Sequence, residues 1–151
     1  PDLANIIELS RRTNDSMPYY LREKILGLLS DIEGERIVTI MGVTYKADVD
    51  DIRESPVLEL AGLLKDRGIT VRIYDPHAKL CRERVANLYE AASGSHLIVL
   101  GVNHKEFARV DFKKLASVMA RPDVLDTRNF WNADEVRRSG LNYHLLGSGK
   151  K

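Results

Sequence analysis

The chain has 151 residues, which is enough for one domain with a substantial core. Its 23 basic and 22 acidic side chains are interspersed and leave a formal net charge of +1, which gives no support to a nucleic-acid or anionic-membrane surface. The single cysteine, Cys81, excludes an intrachain disulfide and a cysteine-rich metal site.

Neither a membrane partner nor secretion is indicated by the sequence. No apolar run approaches membrane-spanning length, and the first residues lack the plan of a signal peptide. We therefore expect a cytoplasmic protein. The chain begins at Pro1 rather than at a methionine, which indicates either a processed product or a piece excised from a longer protein.

The first predicted element is a helix over Leu3–Leu29. Its apolar residues include four at helical spacing: Leu21, Ile25, Leu28 and Leu29. Pro18 lies inside it, so either a second helix begins after a cap at Asp15 or Ser16, or one long helix is kinked. Because this helix packs against little else in the chain, we expect it to dock on a missing domain or on a partner subunit.

A strand, a long polar loop and a helix follow over residues 36–64. The apolar strand ends at Gly42, and the helix starts at Ser55-Pro56. Serine suits the N-cap because its hydroxyl accepts from a free amide, and proline suits the first helical position, which needs no N–H. The loop is longer than such a connection requires, and such loops are more often functional.

Strand-like and helix-like patterns then alternate to the end of the chain. Predicted strands cover Ile69–Tyr74, His96–Val102, Asp123–Asp126 and Leu141–Leu146, and predicted helices cover Phe112–Met119 and Asn132–Ser139. Lys79–Ala92 is interpreted as partly helical, with a short strand over Val85–Leu88 as the alternative. This alternation predicts an α/β fold, a Rossmann-like doubly wound parallel sheet preceded by a long N-terminal helix.

Ligands bind such sheets beyond the carboxyl ends of the strands, near the switch in strand order. In the usual Rossmann order the strands ending at Met41 and Val102 are neighbours. Lys46 and His104 would then flank the crevice, with Arg128 beside them. A mobile ammonium and a planar guanidinium together suit a diphosphate.

A glycine-rich dinucleotide motif is missing from this chain. The first strand is followed by Gly42-Val-Thr-Tyr-Lys-Ala rather than by G-x-G-x-x-G, and no Walker A loop occurs. We therefore expect no NAD binding here by the standard route, and phosphate recognition would have to come from side chains.

Several motifs carry a family resemblance. They are G-V-T-Y-K-A-D-V-D-D-I-R-E-S-P (Gly42–Pro56), V-R-I-Y-D-P (Val71–Pro76) and V-L-D-T-R-N (Val124–Asn129). Together they resemble the C-terminal domain of the UDP-glucose/GDP-mannose dehydrogenase family, and the G-V-T-Y-K segment is more similar to its UDP-N-acetylmannosamine dehydrogenase branch. Ala4–Pro18 resembles the end of that family's central helical dimerisation domain.

The resemblance implies a domain organisation and an activity. Residues 1–33 would end the central dimerisation domain, and residues 34–151 would form the domain that binds the UDP-sugar. The family oxidises the C6 alcohol of a nucleotide sugar to a carboxylate with two NAD+ molecules, through a covalent intermediate on a cysteine. NAD would be bound mainly by a missing N-terminal domain, with no cofactor or metal in this chain and a homodimer formed through the N-terminal helix.

The resemblance also implies site residues. The family's substrate-contacting aromatic-lysine pair falls on Tyr45 and Lys46, and its arginine falls on Arg128. Asp51, Arg53 and Glu54 would hold the long loop together as structural residues. Cys81 matches no nucleophile motif, so no catalytic residue is expected here and the chain alone should be inactive. The alternative is a stand-alone nucleotide-sugar-binding or dimerisation module; a weaker third option is a small Rossmann protein that binds a mononucleotide.

Overall fold

The computed structural model describes residues 3–146, with side chains from residue 16 onward. The elements in chain order are α1 (Leu3–Leu28), β1 (Ile37–Met41), α2 (Pro56–Asp66), β2 (Thr70–Tyr74), α3 (Leu88–Ala92), β3 (Leu97–Leu100), a 3-10 helix (Lys105–Arg109), α4 (Phe112–Val118), β4 (Asp123–Asp126), α5 (Ala133–Arg138) and β5 (Asn142–Leu145). Within this range no helix is long and apolar enough to span a membrane.

The strands form a single parallel sheet within residues 3–146, in the order β2-β1-β3-β4-β5. Both faces are covered. Alternating side chains of β1 show this, because Val38 and Ile40 pack in a core shared with α1 and α2, whereas Met41 packs in a second core with α3, α4 and α5. The predicted doubly wound parallel fold with its N-terminal helix is confirmed.

Helix α1 runs continuously through Pro18, so the alternative of two separate helices is wrong. Proline has no N–H to donate to the carbonyl four residues earlier, and the helix tolerates that loss here. Its last turns are buried in the first core through Leu21 and Ile25, and Leu29, directly after the helix, lies in the same core. The expectation that this helix finds little to pack against in the chain is therefore wrong for its C-terminal half, which belongs to the core beside α2.

The stretch 79–92 is partly helical, as the first interpretation of the sequence predicts, and the alternative strand over Val85–Leu88 is wrong. It forms one isolated bridge, between Ile73 and Arg84, and the Val85 amide donates to the Ile73 carbonyl at 2.6 Å. Helix is confined to α3, whose first turn is capped by the Asn87 side chain. No strand forms over Val85–Leu88 because the chain touches the outer edge of β2 at this one point and then turns away.

The start of α2 agrees with its predicted chemistry. The Ser55 hydroxyl accepts from the Leu58 amide at 3.2 Å and donates to the Val43 carbonyl at 2.6 Å, and Pro56 occupies the first helical position. The serine thereby caps the helix and ties it to the residue after β1. The long loop between Gly42 and Ser55 is closed at its base by this side chain.

Candidate functional site

The carboxyl ends of β1 and β3 meet at the switch in strand order, since Met41 pairs with Leu100. Gly42 has φ +89°, and a Cβ there would lie 2.6 Å from the Val102 carbonyl oxygen. A Cβ on Gly101 would lie 2.5 Å from the Gly42 carbonyl oxygen. Both glycines are therefore needed for the close approach of two protein loops, and Gly42 is not available to bring backbone near a ligand.

The N-terminus of α2 is a poor seat for a dinucleotide pyrophosphate. Ser55 already accepts from the Leu58 amide, Pro56 carries no N–H, and Glu59 places a negative charge in the first turn. A Rossmann pyrophosphate needs free amides and a favourable helix field at this place. The residues present therefore do not fit NAD, in line with the missing glycine motif.

Tyr45 and Lys46 lie side by side on the loop after β1. Tyr45 is 55% exposed, and Lys46 is exposed as well. Their backbone is held, because the Tyr45 amide donates to the Asp51 carbonyl at 2.6 Å and the Thr44 hydroxyl donates to the Lys46 carbonyl at 2.8 Å. The two side chains thus project into solvent from a fixed turn.

Arg128 lies on the loop after β4, at the same edge of the sheet. Its side chain is exposed, and its Nε donates to the Gly101 carbonyl at 3.1 Å, which draws the guanidinium toward the end of β3. Its backbone amide donates to Asp126 at 2.9 Å. The next residue, Asn129, turns the chain with φ +52°. Arg128 therefore faces the switch point from the β4 side.

A buried carboxylate organises the Arg128 loop. Asp126 has no exposed surface. It accepts hydrogen bonds of 2.8–2.9 Å from the amides of Arg128, Phe130 and Trp131 and from the Tyr143 hydroxyl. Burial raises the pKa of the Tyr143 phenol, and the bond to Asp126 adds to this. Four donors thus converge on one carboxylate and fix the loop.

Lys46 and Arg128 are free cations. Across the side chains of residues 16–146, neither forms an ion pair with a carboxylate. An open depression of about 330 Å³ is lined by Tyr45, Asp51, Arg53 and Glu54. Tyr45 therefore belongs both to this depression and to the turn that carries Lys46.

Two of the three residues predicted to hold the long loop together, Asp51 and Arg53, are bound to each other. Arg53 grips Asp51 in a fork, with Nε–Oδ1 and Nη2–Oδ2 distances of 3.0 Å, and its amide also donates to Asp51 Oδ1. These hydrogen bonds lower the pKa of Asp51 to about 2. Glu54 turns the chain with φ +54° just before the Ser55 cap. These contacts are consistent with the structural role, which stays a prediction.

We expect Arg53→Ala to return the Asp51 pKa from about 2 toward 3.8, because the fork and its charge are lost. An NMR titration of the carboxyl carbon measures this. A pKa depressed by folding contributes stability that is present above about pH 4 and is lost as the pH falls toward 2. The control Arg67→Ala removes an exposed guanidinium elsewhere and should leave the pKa of Asp51 unchanged. An unchanged Asp51 pKa in Arg53→Ala would show that the fork with Arg53 is not what lowers it.

The position of His104 differs from the one expected beside the crevice. Its ring has no exposed surface, and both nitrogens are engaged: Nε2 lies 2.9 Å from Asp75 Oδ2, and Nδ1 accepts from the Asp48 amide at 2.9 Å. The ring therefore lies beneath the Tyr45–Lys46 turn rather than at the surface that a ligand would touch. A direct substrate contact by this side chain is not supported by its burial.

The described residues include one group with metal-ligand chemistry. Asp48, His77 and His104 bring three potential ligand atoms within 4.8 Å of one another. His104 has no lone pair to spare, however, since its Nδ1 accepts from an amide and its Nε2 lies against Asp75. His77 in turn pairs with Glu106 at 2.8 Å. We therefore interpret the cluster as a hydrogen-bond network.

Cys81 is a free thiol buried in the first core, 8% exposed. Its neighbours in that core are apolar, which suits a small hydrophobic side chain rather than a nucleophile.

Two important residues were missed by sequence reasoning. Asp75 and Asp126 receive no role from the sequence, yet both are buried and each binds the amides of a site loop. The available signal was an aspartate placed directly at the carboxyl end of an apolar parallel strand, where the site of such sheets lies.

The fold and its strand-end loops define a Rossmann-like α/β domain with free cationic side chains at the carboxyl edge and no dinucleotide motif. Residues 39–133 match the UDP binding domain of the UDP-glucose/GDP-mannose dehydrogenase family, and the chain belongs to that family.

Named relatives agree with this assignment. The chain is 37% identical to a UDP-N-acetyl-D-mannosamine dehydrogenase of Methanocaldococcus jannaschii over 97% of the chain and 35% of the relative. It is 32% identical to a UDP-glucose 6-dehydrogenase of Rickettsia bellii over 96% of the chain and 36% of the relative. The chain thus spans about a third of the length of these proteins.

Solved structures show the same similarity. A UDP-D-ManNAc dehydrogenase from Pyrococcus horikoshii superposes with a TM-score of 0.84 at 28% identity, over 99% of this chain and 35% of that one. A UDP-N-acetyl-mannosamine dehydrogenase from Staphylococcus aureus gives a TM-score of 0.82 at 29% identity, over 96% of this chain and 34% of that one.

Proposed function

We propose that this chain binds the UDP part of a nucleotide sugar, with residues 34–151 as the binding domain and residues 1–33 as the end of a central helical domain. The observation that carries the proposal is the pair of free cations, Lys46 and Arg128, on loops that follow β1 and β4 at one edge of the sheet. The match to a UDP binding domain supports the same reading.

In this proposal both cations bind the diphosphate, each in a different way. Arg128 is oriented by its Nε bond to the Gly101 carbonyl, which leaves the terminal nitrogens of the guanidinium to grip two phosphate oxygens. Lys46 supplies a mobile point charge from the opposite side of the crevice. Tyr45, next to Lys46 and half exposed, contacts the nucleoside or the sugar.

We propose further that the polypeptide to which this domain contributes is an NAD-dependent UDP-sugar 6-dehydrogenase that oxidises a C6 alcohol to a uronate. The substrate we propose is UDP-N-acetylmannosamine, because relatives that carry this name match nearly the whole chain. This chain has neither a G-x-G-x-x-G strand nor a cysteine in a nucleophile motif. We therefore expect NAD and the covalent step to be handled by other domains, and the chain alone to be inactive.

A homodimer through α1 and a cytoplasmic location complete the proposal. Tyr19 and Tyr20 are 46% and 55% exposed on this helix, and exposed aromatic side chains are common at subunit interfaces.

Calorimetric titration of the 151-residue chain with UDP, the UDP-sugar and NAD+ tests the proposed function. We expect weak binding of UDP and of the UDP-sugar and no binding of NAD+, since the chain offers cationic side chains and no pyrophosphate-binding backbone. NADH absorbance with all substrates present should not rise. Binding of NAD+ at least as tight as that of UDP would contradict the proposal and favour a mononucleotide-binding Rossmann protein.

A further inference from the structure

Asp75, at the end of β2, ties three loops of the site edge together. Its side chain is buried, with 1% of its surface exposed. Its two oxygens accept from the amides of Val43 (2.7 Å), Thr44 (3.3 Å), His77 (2.7 Å) and Ala78 (3.2 Å) and from the His104 ring (2.9 Å). Burial acts to raise the pKa of Asp75, but the hydrogen bonds from His104 and the amides outweigh it and hold the pKa below its ordinary value. The carboxylate is therefore charged.

His104 is held in one tautomer by its two partners. An amide N–H can only donate, so Nδ1, which lies 2.9 Å from the Asp48 amide nitrogen, must present its lone pair. The proton of the neutral ring is then on Nε2, where it is donated to the Asp75 carboxylate. The imidazole thus joins a buried carboxylate to the backbone of the loop after β1 through its two hydrogen bonds.

Asp48 receives this contact in a conformation that is unfavourable without support. Its φ is +62°, a value that residues other than glycine adopt rarely. Its carboxylate also accepts from the Lys105 amide at 2.8 Å, so both its backbone and its side chain are bound to the loop after β3. The strain is offset by these two bonds.

The turn that carries Tyr45 and Lys46 is therefore fixed at both ends. Asp75 holds residues 43 and 44, and His104 holds residue 48. Between them Tyr45 and Lys46 project into solvent, and Lys46 forms no ion pair with any side chain that the structure describes. A site whose supporting groups are fixed loses less conformational entropy on binding.

We infer that Asp75 and His104, here named the Asp75–His104 clamp, are positioning residues that hold the Tyr45–Lys46 turn in the geometry that binds the nucleotide diphosphate. The inference rests on the proposed function of Lys46. The clamp acts through the loop backbone, and neither of its side chains touches the ligand.

Two substitutions of His104 separate the two bonds of the ring. Asparagine places an amide oxygen near the position of Nδ1 and retains the acceptor for the Asp48 amide, whereas glutamine places its amide near Nε2 and retains only the donor to Asp75. UDP titration should show a loss of about tenfold or more in affinity for His104→Gln and a change within about threefold for His104→Asn. The control His144→Gln alters another histidine–aspartate contact, to Asp123 on β4, and should bind UDP as the parent chain does.

Two NMR measurements test the hydrogen bonds of the clamp in the absence of UDP. The ring ¹⁵N shifts should report a proton on Nε2, and exchange of the Asp48 amide should be slow in the parent and in His104→Asn but fast in His104→Gln. Equal UDP affinity for His104→Gln and the parent, equal losses for both variants, or a proton on Nδ1 would overturn the inference. If the parent chain fails to bind UDP, the proposed function falls, and the Asp48 exchange pattern alone then decides whether the clamp orders the turn.

Discussion

Replacing either Lys46 or Arg128 with alanine is expected to weaken UDP binding by about 1.5–3 kcal/mol, the usual contribution of a hydrogen bond to a charged group. This corresponds to a loss of roughly tenfold to more than a hundredfold in affinity. The exposure of both side chains and their lack of carboxylate partners among residues 16–146 mean that each charge is available to a ligand. Calorimetric titration with UDP measures the two losses.

Arg138 provides the matched control for this pair. It is an exposed arginine at the end of α5, before β5, and so lies at the amino edge of the sheet. Arg138→Ala should bind UDP as tightly as the parent chain. If Lys46→Ala and Arg128→Ala also bind UDP as tightly as the parent, the phosphate assignment is wrong.

The Asp126→Ala substitution is expected to lower the free energy of unfolding by about 3 kcal/mol, because several donors lose a buried acceptor that nothing else replaces. Three of these donors are amides of the loop that carries Arg128, and the fourth is the Tyr143 hydroxyl. Unfolding in urea, followed by circular dichroism, measures the change.

An exposed aspartate gives the comparison for this substitution. Asp66, at the C-terminal end of α2, is exposed, and Asp66→Ala should change the free energy of unfolding by no more than about 0.5 kcal/mol. A loss below about 1 kcal/mol in Asp126→Ala would show that the loop finds other acceptors or water, and that Asp126 does not organise it.

Local chemistry was sufficient to predict much of the fold. The apolar run before Gly42 and the Ser55-Pro56 pair marked β1 and the start of α2, because strand periodicity and helix capping are properties of a few neighbouring residues. The adjacency of β1 and β3 followed from the general topology of parallel sheets. These features are sufficient to place the loops with Lys46 and Arg128 at one edge of the sheet from the sequence alone.

Features that depend on contacts between distant residues could not be predicted. The local sequence predicts that His104 is an exposed loop residue. In the structure the loops after β1, β2 and β3 come together around its ring and bury it. The burial of α1 against α2, and the single bridge at Arg84 beside β2, likewise depend on how elements pack. Tertiary packing thus decides which polar side chains are buried beneath the loops and which are exposed at the edge of the sheet.

In the proposed function, cationic side chains at the carboxyl edge of a parallel sheet bind the diphosphate that glycine-rich backbone binds in ordinary dinucleotide folds. An NMR titration of the chain with UDP, following the Lys46 and Arg128 side-chain nitrogens together with the backbone amides, tests this role of the two side chains. We expect UDP to shift both side-chain signals and the amides of residues 43–48 and 127–131, with the α2 start and the amino edge of the sheet unaffected. Shifts confined to the start of α2 or to the amino edge would contradict it.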